Sequence, residues 1–174
     1  PEEGEAFEVG LKYNTYFLRA HIAGFYRKGK NMIDWVKEKP EDIWESQNLT
    51  KVDNLGFETN LSLLPRELGN ERFFIRKIEL GYAFIHQDKD SEGYISNYAL
   101  DYLKHKFTAQ LSHSIWKGFS ATWYVRWQDR AGSYTKYENL KPAYEEPYAP
   151  YCLVDMKVNW EYQRLNLYAE LNNL

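Results

Sequence analysis

The sequence predicts an all-β fold: the antiparallel, up-and-down strands of a transmembrane β-barrel segment, about eight of them, with short turns on one side and long loops on the other. Three observations predict it. Apolar and polar residues alternate with period 2 along most of the chain, as they do on the two faces of a strand. The alternating runs are about 9–11 residues long, enough for a tilted strand to cross a bilayer core, whereas soluble strands run nearer to about 5–6. The connections sort by length along the chain, which a soluble sandwich has no reason to do.

Composition excludes the competing classes. Hydrophobic residues make up 44% of the 174 and charged residues 27%, yet aromatics reach 17%, with fifteen Tyr and six Trp. The mean hydropathy is -0.68. A disordered segment is poor in aromatics, and a helical membrane protein carries apolar runs of about 18 residues or more, of which the sequence has none. Alternation between lipid and a wet interior reconciles polarity with aromatic content. A net charge of -3 offers no basic stripe, so no nucleic-acid partner is expected. The lone Cys152 has no internal disulfide partner and reads as a buried or interfacial thiol. The lack of a signal peptide before Pro1 and the stop at Leu174 read as an internal piece: residues 1–174 as a single, partial β-barrel domain.

The strands follow in order. Phe7, Val9, Leu11 and Tyr13 alternate with Glu8, Gly10, Lys12 and Asn14, and Asn14-Thr15 turns the chain. Tyr16, Leu18, Ala20, Ile22, Gly24 and Tyr26 then oppose Phe17, Arg19, His21 and Arg27. In the third run Val52, Leu55, Phe57, Thr59, Leu61 and Leu63 oppose Asp53, Asn54, Glu58, Asn60 and Ser62, with the slip between Val52 and Leu55 read as a bulge. Phe74, Ile78, Leu80, Tyr82 and Phe84 oppose Ile75, Lys77, Glu79, Gly81 and Ala83. Leu103, His105, Phe107, Ala109 and Leu111 oppose Lys104, Lys106, Thr108, Gln110 and Ser112. The sixth run is the cleanest, with Phe119, Ala121, Trp123, Val125 and Trp127 against Ser120, Thr122, Tyr124, Arg126 and Gln128. Val154, Met156, Val158 and Trp160 form the seventh, and Leu165, Leu167, Ala169 and Leu171 the eighth.

Residues 14–15, 65–72, 113–118 and 162–163 are the short turns; 28–48, 87–101 and 129–150 are the long loops. Aromatics gather at the short-turn ends, among them Tyr13, Phe73, Trp116, Phe119 and Trp160, where rings with a polar tip suit a lipid–water boundary. Core packing at hairpin ends accounts for the same clustering in a soluble protein.

Four motifs then carry a family resemblance. Glu8-Val9-Gly10-Leu11-Lys12-Tyr13 resembles the E-x-G-x-K strand of TonB-dependent receptors. The stretch from Tyr26 through Gly29-Lys30-Asn31-Met32-Ile33-Asp34-Trp35 is similar to that family's lead into an extracellular loop, and Asn54-Leu55-Gly56-Phe57-Glu58 to its N-x-G-(I/V/F)-E strand. Leu167-Tyr168-Ala169-Glu170-Leu171-Asn172-Asn173-Leu174 resembles a segment that precedes the last strands. Asp34-Trp35-Val36, His86-Gln87-Asp88 and Trp127-Gln128-Asp129-Arg130 are similar to receptors for cobalamin or iron complexes in Bacteroidetes.

The resemblance implies a receptor segment in the Gram-negative outer membrane, taking part in TonB-dependent uptake of a large scarce ligand such as cobalamin or a ferric siderophore. It implies the lipid bilayer, a plug domain and TonB as partners. The plug, the TonB box and the final strands are not among these residues, and the family barrel has about 22 strands.

No catalytic constellation stands out, and neither an enzyme nor a cofactor is expected. The four histidines are scattered, without the spacing of a helical zinc site. Asp88-Lys89-Asp90-Ser91-Glu92-Gly93 starts like a calcium loop but has Ala99 at position twelve, so a solvated acidic loop is the better reading. Asn48-Leu49-Thr50 and Asn60-Leu61-Ser62 fit a glycosylation triplet that arises often by chance. Ligand contacts are expected from loop aromatics Trp35, Trp44, Tyr94, Tyr98, Tyr134 and Tyr137, with Arg126, Asp129 and Arg130 giving charge near the mouth. Loop-on-loop packing accounts for the same residues equally well. Lys104, Lys106, Gln110, Thr122, Arg126, Lys157, Asn159 and Glu170 are expected to line a wet lumen.

Two other architectures fit the alternation: a small, complete eight-stranded structural or adhesion barrel, and a soluble β-sandwich binding module. Two open edges imply closure on itself or self-association through edge strands.

Overall fold

In the computed structural model the chain is described at residues 1–39, 42–69, 72–90, 92–96, 102–138 and 141–174, with the side chains at 49, 50, 96, 135, 142, 143 and 145 left aside. The elements are β1 (Glu3–Asn14), β2 (Leu18–Lys37), β3 (Glu45–Leu63), a single 3-10 turn (Pro65–Leu68), β4 (Ile75–Asp90), β5 (Ile95–Ser96), β6 (Leu103–Ser114), β7 (Phe119–Arg130), β8 (Ser133–Glu138), β9 (Lys141–Pro147), β10 (Tyr151–Tyr162) and β11 (Leu165–Leu171). One antiparallel sheet runs in the order β1-β2-β3-β4-β6-β7-β10-β11, with β5 added to β2, and β8 and β9 form a separate hairpin. The sheet stays open: among the described residues β1 and β11 each pair on one side only.

Register makes the two faces explicit. Directly across the sheet, Leu11, Ile22, Thr59, Tyr82, Phe107, Trp127 and Cys152 stand in one row. One residue along each strand, Lys12, His21, Asn60, Gly81, Thr108, Arg126 and Leu153 stand in the next. Because side chains alternate, the first row faces out with the apolar residues and the second faces in with the polar ones.

Among the described residues no second layer covers either face. Ala23, Val36 and Ala121 are the buried hydrophobic residues among those described, while Phe57, Leu61, Leu80, Phe107 and Phe119 are all more than a third exposed. The accessible surface is 12655 Å², against about 9,000 Å² for a compact soluble monomer of this mass. A sandwich would have buried the row of Phe119, Trp123 and Trp127; here Phe119 is 39% exposed and the two tryptophans are half-buried.

The short-turn side is built by local chemistry. Thr15 accepts the Leu18 amide on its hydroxyl at 3.0 Å, and its own amide donates to the Leu18 carbonyl at 2.7 Å. Gly118 adopts φ 86°, and its carbonyl accepts the Glu161 amide at 3.1 Å, tying this turn to β10. Gln163, at φ 52°, opens the two-residue loop between Tyr162 and Leu165.

Several boundaries differ from the sequence reading. β2, β3 and β4 are 20, 19 and 16 residues long, so residues 28–37 and 45–48 are strand and not loop. Residues 129–150 hold the β8–β9 hairpin. The bulge expected between Val52 and Leu55 is absent, because β3 keeps continuous register there; Val52 shares the inward face with Asn54, and Asp53 the outward face with Leu55. Irregularities fall instead around Met32 in β2, at Arg76 in β4, at Lys104 in β6 and between Lys136 and Tyr137 in the β8–β9 hairpin. The extra residue at Arg76 changes the phase, so Ile75 and not Phe74 stands opposite His113 in the outward row.

Candidate functional site

The inward face carries the polar chemistry. A cavity of about 400 Å³ opens on it, lined among others by Lys12, Arg19, His21, Glu79, Gln110 and Tyr124. Small residues make this concavity: Gly81 comes so close to its neighbours that a Cβ there would lie 2.6 Å from Thr108 Oγ1 and 2.9 Å from Asn60 Oδ1. Around it, Ser112 and Thr122 share a hydroxyl hydrogen bond at 3.0 Å, Lys77 pairs with Glu79 at 2.8 Å, and Lys157 with Glu170 at 2.6 Å. Thr122, Lys157 and Glu170 were expected on this wall; Lys12, Arg19, His21 and Glu79 were not selected, although their alternation with the apolar row placed them there.

Two pairs of polar groups on the outward face satisfy each other, whereas Asp53 Oδ1, on the same face, is buried without a hydrogen-bond partner among the described residues. The Tyr82 hydroxyl lies 2.8 Å from His105 Nδ1, and Trp123 Nε1 donates to His113 Nε2 at 3.2 Å. In a lipid-facing surface such pairing removes the cost of an unpartnered polar atom.

The long-loop end is built from strands that outrun the membrane-length part of the sheet. β5 pairs with Val36 and Lys37 of β2, so the connection from β4 crosses β2 and β3 to reach it. Asp34 and Val36 are buried there, and Tyr94 joins Val36, Asp42, Ile43 and Gln47 around a second cavity of about 400 Å³. Burial pushes the Lys89 ammonium below the usual lysine range, with the Asp34 carboxylate acting the other way. Lys51 pairs with Asp90 at 3.5 Å and Glu92 at 3.8 Å. The amide of Glu92 and the charge of Lys51 hold the Asp90 carboxyl below the usual carboxylate range. These carboxylates are engaged by a lysine, and among the described residues no cluster of three or more His, Cys, Asp or Glu is placed to hold a metal.

The sequence-selected ligand residues fall into separate groups. Trp35 pairs with Ser46 and is 43% exposed; Trp44 lies under the Lys37 ammonium, 4.6 Å from the ring centre. Arg130 sits 4.1 Å above the Tyr148 ring, whose centroid is 5.7 Å from that of Tyr134. Tyr137 stands at the hairpin tip, 65% exposed. Arg126 points inward beside Thr108 and Leu153, and Asp129 is in register with His105 in the outward row. Tyr98 lies outside the described residues. The structure therefore brings Arg130 and Tyr134 together through Tyr148, and Tyr94 close to the β2 end; it leaves Arg126 and Asp129 on opposite faces.

Comparison with known proteins agrees with this geometry. No curated protein matches the chain. The FrpB iron transporter from Neisseria meningitidis (F3-3 variant) superposes with a TM-score of 0.68 at 15% identity, over 99% of this chain and 27% of that one. The ferripyoverdine receptor of the outer membrane of Pseudomonas aeruginosa gives 0.68 at 18% identity, over 100% and 23%. The ferric yersiniabactin uptake receptor FyuA from Yersinia pestis gives 0.64 at 16% identity, over 99% and 25%. The chain thus spans about a quarter of the length of these receptors. The family model described as TonB dependent receptor-like, beta-barrel matches residues 1–174. The chain belongs to the TonB-dependent receptor family and forms a segment of its β-barrel.

Proposed function

We propose that the intact receptor containing this segment takes up a large, scarce complex across the outer membrane of a Gram-negative cell, energised by TonB, with a ferric siderophore as its ligand. The observation that carries this reading is the open, two-faced sheet, apolar outside and polar inside, in a chain of the TonB-dependent receptor family. The iron transporter, ferripyoverdine receptor and ferric yersiniabactin receptor that share its fold support the ligand class. Cobalamin is the second ligand, since Asp34-Trp35-Val36, His86-Gln87-Asp88 and Trp127-Gln128-Asp129-Arg130 resemble receptors for cobalamin or iron complexes alike. Residues 1–174 act as one partial barrel domain, and the plug and the TonB-binding segment belong to other parts of the receptor.

In this reading the long-loop side faces the medium and the inward wall faces the plug. Trp35, Trp44, Tyr94, Tyr98, Tyr134 and Tyr137 supply apolar contact at the mouth, and Arg126, Asp129 and Arg130 supply charge. The work is binding and gated passage, without covalent chemistry. The test is binding of the purified intact receptor to ferric siderophores and to cobalamin, with growth of a deletion strain on each. Saturable siderophore binding that is lost on deletion of residues 133–147 and of the β2–β3 tip supports the reading. Tight cobalamin binding without siderophore binding replaces the ligand, and binding of neither overturns the proposal.

A further inference from the structure

At the short-turn end of the inward face two arginines converge on one hydroxyl. Arg66 extends from the 3-10 turn, where its Nε donates to the Phe73 carbonyl at 2.9 Å and its Nη2 to Ser114 Oγ at 2.6 Å. Arg76 is the extra residue in β4, and its Nε donates to the same Ser114 Oγ at 2.9 Å. Ser114 shares the inward face of β6 with Gln110 and Ser112 and stands opposite Ser120 of β7. The two guanidinium groups therefore meet on the lumen wall.

Elsewhere on that wall Lys77 is matched by Glu79 at 2.8 Å and Lys157 by Glu170 at 2.6 Å. Among the described residues neither Arg66 nor Arg76 has a carboxylate oxygen within 4.0 Å, and the side chains around Ser114 in the register, Ser112, Ser120 and Thr122, are uncharged hydroxyls. What separates this pair from single cations of the wall such as Lys12 and Arg126 is that one oxygen holds two like charges together. A serine oxygen has two acceptor lone pairs, and both go to guanidinium N–H groups, so the Ser114 proton is left for a third group. Arg76 commits only its Nε to the serine, which leaves its terminal N–H groups to face the lumen with it.

A barrel of about 22 strands is too wide for its own side chains to fill and carries a plug. Where a plug covers this wall it removes water from the guanidinium pair, and a charge taken out of water without a counter-charge is strongly disfavoured. The wall matches Lys77 and Lys157 itself but not these two, so their counter-charge has to come from what covers them. Guanidinium forks match a carboxylate in geometry as well as charge. We infer that Arg66 and Arg76, held together by Ser114, clasp an Asp or Glu side chain of the plug at the short-turn end of the lumen; this rests on the reading above that the inward wall faces the plug.

The test uses the intact receptor in detergent and a zero-length carbodiimide, which joins a lysine to a carboxylate in ion-pair contact, with the joined peptides identified by mass spectrometry. Arg66→Lys and Arg76→Lys, made singly, keep the charge, and each is expected to cross-link to one Asp or Glu of the plug, outside residues 1–174. The native pair of Lys157 and Glu170 reports in the same sample that the reagent has reached the lumen. In Arg66→Gln with Arg76→Gln, amide hydrogen exchange is expected to quicken by about tenfold in one plug segment, the one carrying the cross-linked carboxylate, which is the scale of a lost charged hydrogen bond. Ser114→Ala, which keeps both arginines, is expected to quicken it severalfold, so that the answer survives if the double variant fails to fold. Lys89→Gln, at the long-loop end, leaves it unchanged. Cross-links from positions 66 and 76 only to carboxylates within residues 1–174, or none while Lys157 joins Glu170, overturn the inference, as does unchanged plug exchange in both the double variant and Ser114→Ala. The native wall lysines Lys12 and Lys106 test the underlying reading. Cross-links from these to the plug, with none from positions 66 and 76, overturn this inference alone; no cross-link from any wall lysine to the plug overturns the reading with it.

Discussion

Gly56 shows how much of the inward wall is decided at single positions. Phe25 stands opposite it in register and lays its ring over the glycine, so a Cβ at Gly56 would meet the Phe25 ring and the Phe84 carbonyl oxygen, each at 2.5 Å. The ring can swing away; the carbonyl belongs to the neighbouring strand and cannot. Gly56→Ala is therefore expected to destabilise the barrel by about 1–3 kcal/mol, the usual cost of overpacking. Adding Phe25→Ala relieves the ring contact but not the carbonyl, so the double variant recovers only part of the loss. Urea-dependent refolding of the intact receptor into liposomes measures both, and wild-type stability in Gly56→Ala refutes the contact. The glycine was visible in the sequence as part of Asn54-Leu55-Gly56-Phe57-Glu58, but its cause was not, because the atoms that exclude a side chain come from β2 and β4. Arg66 and Arg76 were equally hidden: they meet on Ser114 of β6, a strand that carries neither of them, and the pairing that brings them there cannot be read from one strand alone.

At the scale of elements, the strands were legible where lipid and water face opposite sides and illegible where water faces both. The row from Leu11 to Cys152 is apolar or aromatic at every position but Thr59, so period 2 survived in the sequence. Beyond the membrane the same strands continue through Lys37 and from Glu45 with mixed residues on each face, and they read as loop. The β8–β9 hairpin was lost for the same reason. Its cohesion comes from a polar ladder: Lys136 pairs with Glu146 at 3.2 Å, and its ammonium lies 5.3 Å from the Tyr144 ring centre. Hydrogen bonds from Lys136 and then Tyr134 hold the Glu146 carboxyl below the usual carboxylate range. A carboxylate with a lowered folded pKa stabilises above its unfolded pKa, 4.5, and loses that contribution as pH falls through the lower folded value. Hydrogen bonding to Glu146 raises the Tyr134 phenol, and bonds to Tyr144 and Glu146 raise Lys136; their contributions are complete below 10.0 and 10.5 and fade as pH rises past the raised values. The hairpin is thus expected to hold a plateau from about pH 5 to 10 and to loosen outside it. An NMR titration of the Glu146 carboxyl carbon, alongside hairpin amide shifts, measures this. Glu146→Gln removes the acid limb, and an unshifted Glu146 titration refutes the ladder.

For the whole molecule the question is which solvent each face meets, and adjacent residues at the middle of β6 answer it. Ala109 is in register with Leu80 and Val125 in the outward row, and Gln110 with Glu79 and Tyr124 on the cavity wall. An arginine at the lipid-facing midplane costs about 2–4 kcal/mol, because hydrocarbon gives its charge no partner. The same arginine on the inward wall meets water, directly across from Glu79 and with Arg126 already tolerated on that face. Ala109→Arg is therefore expected to lower the refolding free energy of the intact receptor by about 2–4 kcal/mol, and Gln110→Arg by less than about 1 kcal/mol. In the open sheet both positions are half-buried, so the solvent on each face, and not packing, is what separates them. Equal penalties at 109 and 110 would remove the bilayer from the account. The same reasoning fixes what the isolated 174-residue chain does. Its β1 and β11 are exposed along their whole length, with unpaired backbone groups on one side of each. In detergent no water reaches those groups at the depth of Val9 or Leu167, so the edges must find partners. The chain is expected to run as dimers or larger species in detergent by light scattering, and Val9→Pro on β1 to shift it towards monomer. A monomer at all concentrations would mean that the edges pair with each other, closing the eight strands into a small barrel.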